Sequence, residues 1–383
     1  MDRRDFLRGA GLLGLTPLLA ACARALRTPL ESLTALDSAS RDPRDRDGVW
    51  REGAAYARWT PSPHNVQPWL LRVVSPTHAE LLYNPARLLP KTDPTSAFSM
   101  MGLVMFAEYL SIAVAPRGYA VRASYDGKPL QFDASAPVLF ANLELVPLGS
   151  AAPLDRDLIL RRQTSRLPYD GRPVREDALR SLASIASAGG HKFAWSSRDD
   201  DVAWAVDLNR FTLFDDLDRT AERSELRKWI RPSDREAAAK KDGLWAECLS
   251  FPGWLLQAFF DKHEKWGSGW RKQVCGEMLV KGMAGTRTIA WWSGPFSEPA
   301  HWIAAGQVLG RSWLTLASQG VHMHPFGSII TNPSAHANLV ERVGRPRDAN
   351  ELWLLARMGR SAAPPRSYRM DERDIFINAG RSS

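Results

Sequence analysis

The sequence predicts an α+β protein built from two fused halves. Three observations lead there. Strand-like runs of alternating or clustered apolar residues are interleaved with two long apolar helices. A Pro/Gly/Ser/Ala stretch at residues 147–153 reads as a linker between the halves. The second long helix also repeats the spacing of the first: Gly102, Leu110, Ile112 and Ala113 match Gly306, Leu314, Leu316 and Ala317, and each helix ends at a glycine followed by a strand. Buried helices share such spacings for packing reasons alone, so the echo points to duplication without establishing it.

The chain has 383 residues, 44% hydrophobic and 24% charged, which is ample for a large core and excludes disorder as its general state. A net charge of +8 suits an anionic ligand, a nucleic acid or an anionic membrane surface. No dense Lys/Arg run with interleaved aromatics occurs, which argues against nucleic acid as a partner.

The first 22 residues read as a signal. Arg3-Arg4-Asp5-Phe6-Leu7-Arg8 is a twin-arginine motif, and the apolar run at 9–21 is too short to span a bilayer stably. The run ends in Leu19-Ala20-Ala21-Cys22, which resembles a lipoprotein signal-peptidase box with Cys22 as the lipidated residue. The expected location is therefore periplasmic or cell-envelope, with the chain exported folded, a bound cofactor already inserted, and held to the membrane by a lipid anchor. The formal fingerprint Gly9-Ala10-Gly11-Leu12-Leu13-Gly14 has no strand before it and lies inside the signal, so it is a decoy. Cys248 and Cys275 form neither a metal motif nor a redox pair; a disulfide and two buried thiols both remain open.

Residues 23–46, rich in Arg, Asp, Ser, Thr and Pro, read as a tether. The first half, 47–150, has a helix at 47–59, a proline loop, a hairpin of strands 69–74 and 79–83, a buried helix at 97–115 and strands at 119–125 and 138–146. The second half, 151–383, opens with a basic turn at 161–166. A helix at 175–187, a strand at 191–196 and one long helix at 199–229 follow. Residues 229–302 carry eight tryptophans and read as a helical lid over a cavity, suited to stacking on a ring, although each tryptophan alone is better explained by packing. A buried helix at 298–319, a strand at 321–325, a helix at 333–343 and a core strand at 351–358 complete the half, ahead of a basic tail with Arg366 and Arg369.

Two segments carry chemistry. In Pro61-Ser62-Pro63-His64-Asn65-Val66-Gln67-Pro68-Trp69 the three prolines stiffen the backbone, and Asn65 and Gln67 each offer a donor and an acceptor. That pairing suits a ring edge of alternating C=O and N–H groups, such as the pyrimidine edge of a flavin; a loop that merely caps a strand is the plain alternative. Arg161-Arg162-Gln163-Thr164-Ser165-Arg166 has a phosphate-binding composition, since guanidinium forks match phosphate oxygens and a hydroxyl adds a directed hydrogen bond. A solvated basic turn is the plain alternative there. No GxSxG elbow or Walker loop occurs, and His322-x-His324 lacks an evident third ligand for a metal.

Together, the loop 61–69, Arg162-x-Thr164-x-Arg166, the helix from Gly306 to Gly320 with Pro325-Phe326-Gly327 after it, and the last strand with its basic tail resemble the FMN-dependent nitroreductase family over most of residues 47–370, and specifically its tandem, Acg-like branch. The resemblance implies a nitroreductase-like fold whose fused halves form an intramolecular pseudo-dimer, a monomer holding one FMN. It implies that Arg162, Gln163, Thr164 and Arg166 hold the phosphate and ribityl chain, that Pro61, Ser62, Pro63, Asn65 and Gln67 line the ring, that Phe326 and Gly327 lie near its reactive edge, and that Arg366 or Arg369 adds charge at the phosphate. Many relatives carry an acidic residue where this chain has Phe326. Catalysis would be the flavin's, with a small-molecule electron acceptor such as a nitroaromatic or quinone. The donor would be NAD(P)H in the cytoplasm, or a quinol or protein partner after export. A flavin-storage role without rapid turnover is the alternative.

Overall fold

The computed structural model describes residues 44–46, 48–149, 154–346 and 350–377. The signal at 1–22 with Cys22, most of the tether and part of the linker lie outside the described residues. The tether's end belongs to the fold: the buried Asp45 carboxylate accepts hydrogen bonds from the backbone N–H of Trp50 and Arg51 at 3.2 and 3.0 Å, satisfying the open first turn of helix α1 (Val49–Ala57).

The first half continues with strands β1 (Trp69–Ser75) and β2 (His78–Tyr83), joined by Pro76-Thr77, then helix α2 (Ala97–Val114) and strands β3 (Tyr119–Tyr125) and β4 (Val138–Pro147). These form an antiparallel sheet in the order β1-β2-β4-β3. The second half contains α3 (Asp157–Arg161), α4 (Glu176–Ala188), β5 (Lys192–Ser196), α5 (Asp199–Asp218), α6 (Thr220–Trp229), β6 (Ile230–Arg231), α7 (Asp234–Lys240), β7 (Leu244–Trp245), α8 (Ala246–Leu249), α9 (Gly253–Asp261), α10 (His263–Trp266) and α11 (Gly269–Gly282). It ends with β8 (Thr288–Pro295), α12 (Pro299–Ser318), β9 (His322–Pro325), α13 (Gly327–Thr331), α14 (Pro333–Val343), β10 (Asn350–Gly359) and α15 (Glu372–Ile375). Its main sheet is antiparallel in the order β5-β8-β10-β9.

The two sheets are sisters. In each half a helix precedes two strands, a long helix and two further strands, and the fourth strand pairs between the second and the third. The elements α5 to α11 occupy the connection from β5 to β8, where the first half has only Pro76-Thr77. The insertion is thus a loop expansion at one known point of a repeated unit.

One core serves both halves, because α2 and α12 pack on each other. Helix α2 is apolar on every side and mostly buried, as a helix packed against α1, α12 and the first sheet must be. Close approach is possible because α12 presents Gly306 and Gly310: a Cβ at Gly306 would lie 3.0 Å from Val104 Cβ and 3.1 Å from Met101 Cα. Tyr109 Oη donates to Gly310 O at 3.3 Å, and Arg311 pairs with Glu108 at 3.0 Å. The C-terminal tail then crosses to the first half, where Ile377 N donates to Leu71 O at 3.0 Å beside β1.

Two expectations require correction. Residues 199–229 form two helices, because Arg219 is extended (φ −80°, ψ 118°) and ion-pairs with Asp215, Asp216 and Glu222, turning the chain where periodicity continues unbroken. The insertion also ends before residue 288. Trp291 and Trp292 belong to β8, paired on both edges, and Trp302 to α12. A central strand reads as a continuous apolar run, which the sequence alone does not separate from helix.

Replacing Gly306 with Val should destabilise the protein by about 1–3 kcal/mol through overpacking against the α2 backbone. Thermal unfolding would show this as a lowered midpoint, and an unchanged midpoint would disprove the close packing described.

Candidate functional site

A cavity of about 400 Å³ lies where the halves meet, within the size range of small-molecule sites. Pro61, Ser62, Pro63 and His64 form one wall, with Met101 and Met105 of α2 beside them. Thr164 and Arg166 of the basic turn, Trp313 of α12, and His324, Pro325 and Gly327 at the end of β9 form the other. The insertion supplies an apolar roof that includes Leu213, Phe214, Phe251, Leu256 and Phe260. The proline loop of the first half and the basic turn of the second therefore border one space.

The proline loop is strained and clamped. His64, Asn65 and Gln67 all have positive φ (47°, 56° and 50°), a costly conformation for residues with side chains. Asn65 Nδ2 donates to Gly243 O and Tyr368 O, both at 3.1 Å, and Asn65 Oδ1 accepts from Arg369. Gln67 Nε2 donates to Lys241 O at 2.9 Å, while its Oε1 accepts from Met370 N at 2.8 Å. Arg87 adds a bond to Val66 O at 2.8 Å and reaches Asp242 at 3.2 Å. The insertion and the C-terminal tail thus hold the loop from behind. This overturns the expectation that Asn65 and Gln67 present their amides to a ring: both side chains are engaged within the protein and neither lines the cavity. The contribution of the loop to the cavity is Pro61 to His64.

The basic turn divides by depth. Arg166 lines the cavity, donates to Cys248 O at 3.2 Å and has no ion-pair partner among the described residues. Thr164 lies beside it on the wall. Arg162 is buried behind the wall, stacked 4.8 Å from the Trp313 ring; its Nη2 donates to Trp59 O, while Nε and Nη1 have no partner among the described residues. Gln163 does not line the cavity. Arg366 lies 3.8 Å over the Trp59 ring and donates to Leu160 O at 2.5 Å, and Arg369 lies 5.8 Å from the same ring. Neither lines the cavity, so the expectation that one or the other of them adds its charge directly at the phosphate is corrected. With Arg58 and Arg162 they gather positive charge around Trp59, and burial followed by this mutual repulsion lowers Arg366 to about 9 and holds Arg369 well below the usual guanidinium range.

Phe326 points into the core, edge-on to the His324 ring, and is also removed from the predicted lining, whereas the neighbouring Gly327 borders the cavity. The predicted stacking tryptophans of the insertion are absent from the walls; leucine and phenylalanine line the roof instead. Cys248 and Cys275 are both free and buried, and Cys275 is on the roof.

Sequence reasoning missed Arg357, His324 and His64 as partners in the site. Arg357 is fully buried on β10, opposite His324 on β9. It donates to Thr286 Oγ1 and to the carbonyls of Ser165 and Leu167, at 3.1 to 3.3 Å, so it fastens the basic turn to the sheet. Its Nε donates to His324 Nδ1 at 3.1 Å. Burial, then Arg166 and Arg357, hold His324 neutral; with Nδ1 accepting, its proton sits on Nε2. His64 is lowered to about 4 by burial and then by Arg166, and its Nδ1 is sealed without a partner. The register of β9 on β10 was the only available signal for the Arg357–His324 pair.

His64 and Asp93 titrate with opposite effects on stability. The folded pKa of His64 is depressed, so its contribution is whole above about 6.5 and is lost as pH falls toward 4. Asp93, raised to about 6 by burial, favours the folded state in acid and costs stability as pH rises from about 4 to 6. The variant H64Q removes only the first effect. The stability of the unaltered protein minus that of H64Q should therefore fall by about 1–3 kcal/mol between about pH 7 and pH 4. Urea unfolding measures this, and a pH-independent difference would refute the lowered pKa of His64.

No family model matches the chain. It is 24% identical over 311 residues, 75% of this chain and 82% of the relative, to a Serratia protein named "Probable NAD(P)H nitroreductase PigM". Among solved structures, a nitroreductase with bound FMN from Bacteroides fragilis is 13% identical, with 59% of this chain and 96% of that one covered and a TM-score of 0.31. A BluB-like flavoprotein from Clostridium difficile is 11% identical, with 57% and 96% covered and a TM-score of 0.35. At those TM-scores the structural likenesses carry no argument, and the similarity that bears on function is the sequence similarity to the Serratia nitroreductase.

Proposed function

We propose that the chain is a nitroreductase-type flavoprotein oxidoreductase that holds FMN between its halves and reduces nitroaromatic, quinone-like or other electrophilic small molecules. The observation that carries this reading is the shared cavity, with Pro61–His64 on one wall and Thr164 and Arg166 on the other. The residues fit the group. Arg166 on the wall, with no ion-pair partner among the described residues, and Arg162 behind it, with two buried nitrogens that have no partner among those residues, favour an anion at that end, as a phosphate would supply. Thr164 offers a hydroxyl to the phosphate or ribityl chain. Arg58, Arg366 and Arg369 add positive potential from behind Trp59.

Bound FMN would supply two-electron chemistry, transferred as hydride or singly. The protein's part is positioning and exclusion of water. Neutral His324 offers an Nε2–H donor to the cavity, a group suited to polarising an oxygen without giving up a charge. The leucine and phenylalanine roof keeps the space dry. The twin-arginine segment and Cys22 support an exported, lipid-anchored monomer whose fused halves do the work of two subunits, with a quinol or protein as electron donor. The Serratia relative's name points instead to a nicotinamide donor.

One feature favours flavin storage as a second reading. The roof is fastened down: Glu225 of α6 accepts from Lys91 N and Thr92 N at 2.9 Å and from Thr92 Oγ1 at 2.7 Å, tying the insertion to the first half. Anaerobic reduction followed by nitroaromatic or quinone acceptors separates the readings: rapid reoxidation is expected for the enzyme, slow reoxidation for storage. The double variant R162Q/R166Q should lose FMN retention by at least about 100-fold, and full flavin occupancy in it would refute the assignment.

A further inference from the structure

Six large apolar side chains are strongly exposed among the described residues, and four of them, Phe211, Trp254, Trp270 and Val274, lie on helices α5, α9 and α11. Scattered single residues would need no explanation; these are concentrated and partly contiguous. Trp254 and Trp270 are each 64% exposed. Trp266 meets Trp254 edge-on at 6.3 Å, and the Arg271 guanidinium lies 5.7 Å from the Trp266 ring and 4.7 Å from that of Trp270. Val274 follows Trp270 by four residues, on the same face of α11.

The opposite faces of these helices are also apolar. Leu255, Phe259, Phe260 and Cys275 are buried, and Leu256, Phe260 and Cys275 line the cavity. Folding therefore accounts for the inner faces and for part of Trp266, which packs against the insertion's core, and leaves Trp254 and Trp270 outside.

The composition of the outer face selects its occupant. Indoles combine an apolar body with an N–H and gather at the boundary between headgroups and hydrocarbon, where a cation stacked beside them is also at home. The surrounding charge is positive. Residues 253–282 contain five Lys/Arg against three Asp/Glu; Asp261 is paired with Arg227 at 2.8 Å and Lys272 with Asp218 at 3.0 Å, which leaves four cations against two acids. Lys262 and Lys265 are exposed without an ion pair among the described residues. Each such cation near an anionic surface adds about 1 kcal/mol of attraction.

We propose that the outer face of the insertion, centred on Trp254, Trp266, Trp270 and Arg271, docks on an anionic phospholipid bilayer. This goes beyond the flavin reading and does not depend on it. The proposed surface is built from α9 to α11 alone, and docking sets the apolar roof of the cavity against the lipid headgroups.

The test uses the full chain with vesicles of one part phosphatidylglycerol to three parts phosphatidylcholine. Hydrogen exchange followed by mass spectrometry should slow in peptides covering 253–275 when vesicles are added. Phosphatidylcholine brominated on its acyl chain should quench tryptophan emission. The variant W254S/W270S, changed only at exposed positions, should keep its unfolding midpoint, lose both signals and partition at least about tenfold more weakly. Pure phosphatidylcholine should give weaker protection. Because the apolar N-terminal run could hold the chain on vesicles by itself, the local exchange decides. Bound protein with unchanged exchange at 253–275 overturns the proposal, as does failure to bind the anionic vesicles. Protection that rises with protein concentration in the absence of lipid also overturns it, and would assign the face to a second copy of the chain.

Discussion

The site depends on the contact between α2 and α12. Two long helices from different halves come close because Gly306 and Gly310 leave room for Met101, Val104 and Met105, and this fixes the distance between the two sheets. Trp313, a few residues along the same helix, forms part of the cavity wall and carries Arg162 on its ring. Packing that serves stability thereby sets the spacing of a functional space. A shift of one helix against the other would move the proline loop relative to the basic turn.

The halves share a topology but no longer share a role. Only the first carries the proline loop, and only the second carries the basic turn and the long insertion at the β5–β8 connection. The strain in the loop, three left-handed residues within four positions, persists because Lys241, Gly243, Tyr368 and Met370 fix its amides from the other half. The insertion is therefore more than a roof, since it also helps to hold the opposite wall. Arg357 performs the matching service for the basic turn, with every bond going to a neutral acceptor. Positive charge is kept in place here by hydrogen bonds rather than by carboxylates, which leaves the surroundings electropositive.

Much of this was legible in the sequence because periodicity reports burial. Helices α2 and α12, the β1–β2 hairpin and β10 were each readable from apolar spacing and turn residues. The two halves of the site were readable as motifs, and they do border one cavity. What failed was the direction of side chains. Asn65 and Gln67 look like ligand-binding amides in a list of residue types, yet at positive φ in a buried loop they serve the backbone of their own protein. Arg366 and Arg369 occupy the right region but lie behind Trp59. The insertion was visible as a change in composition, while its boundary was lost because Trp291 and Trp292 suit a central strand as well as they suit a lid. Arg357 and His324 are 33 residues apart, and only the strand register joins them.

If two diverged halves build one composite site, the flavin stoichiometry of the purified full-length chain is the most direct measure of the account. Saturation with FMN, removal of the excess and absorbance against protein concentration should give about one flavin per chain, since one proline loop faces one basic turn. Two flavins per chain would mean that each half retains a site of its own, and none would mean that the cavity serves another ligand; either result contradicts the account.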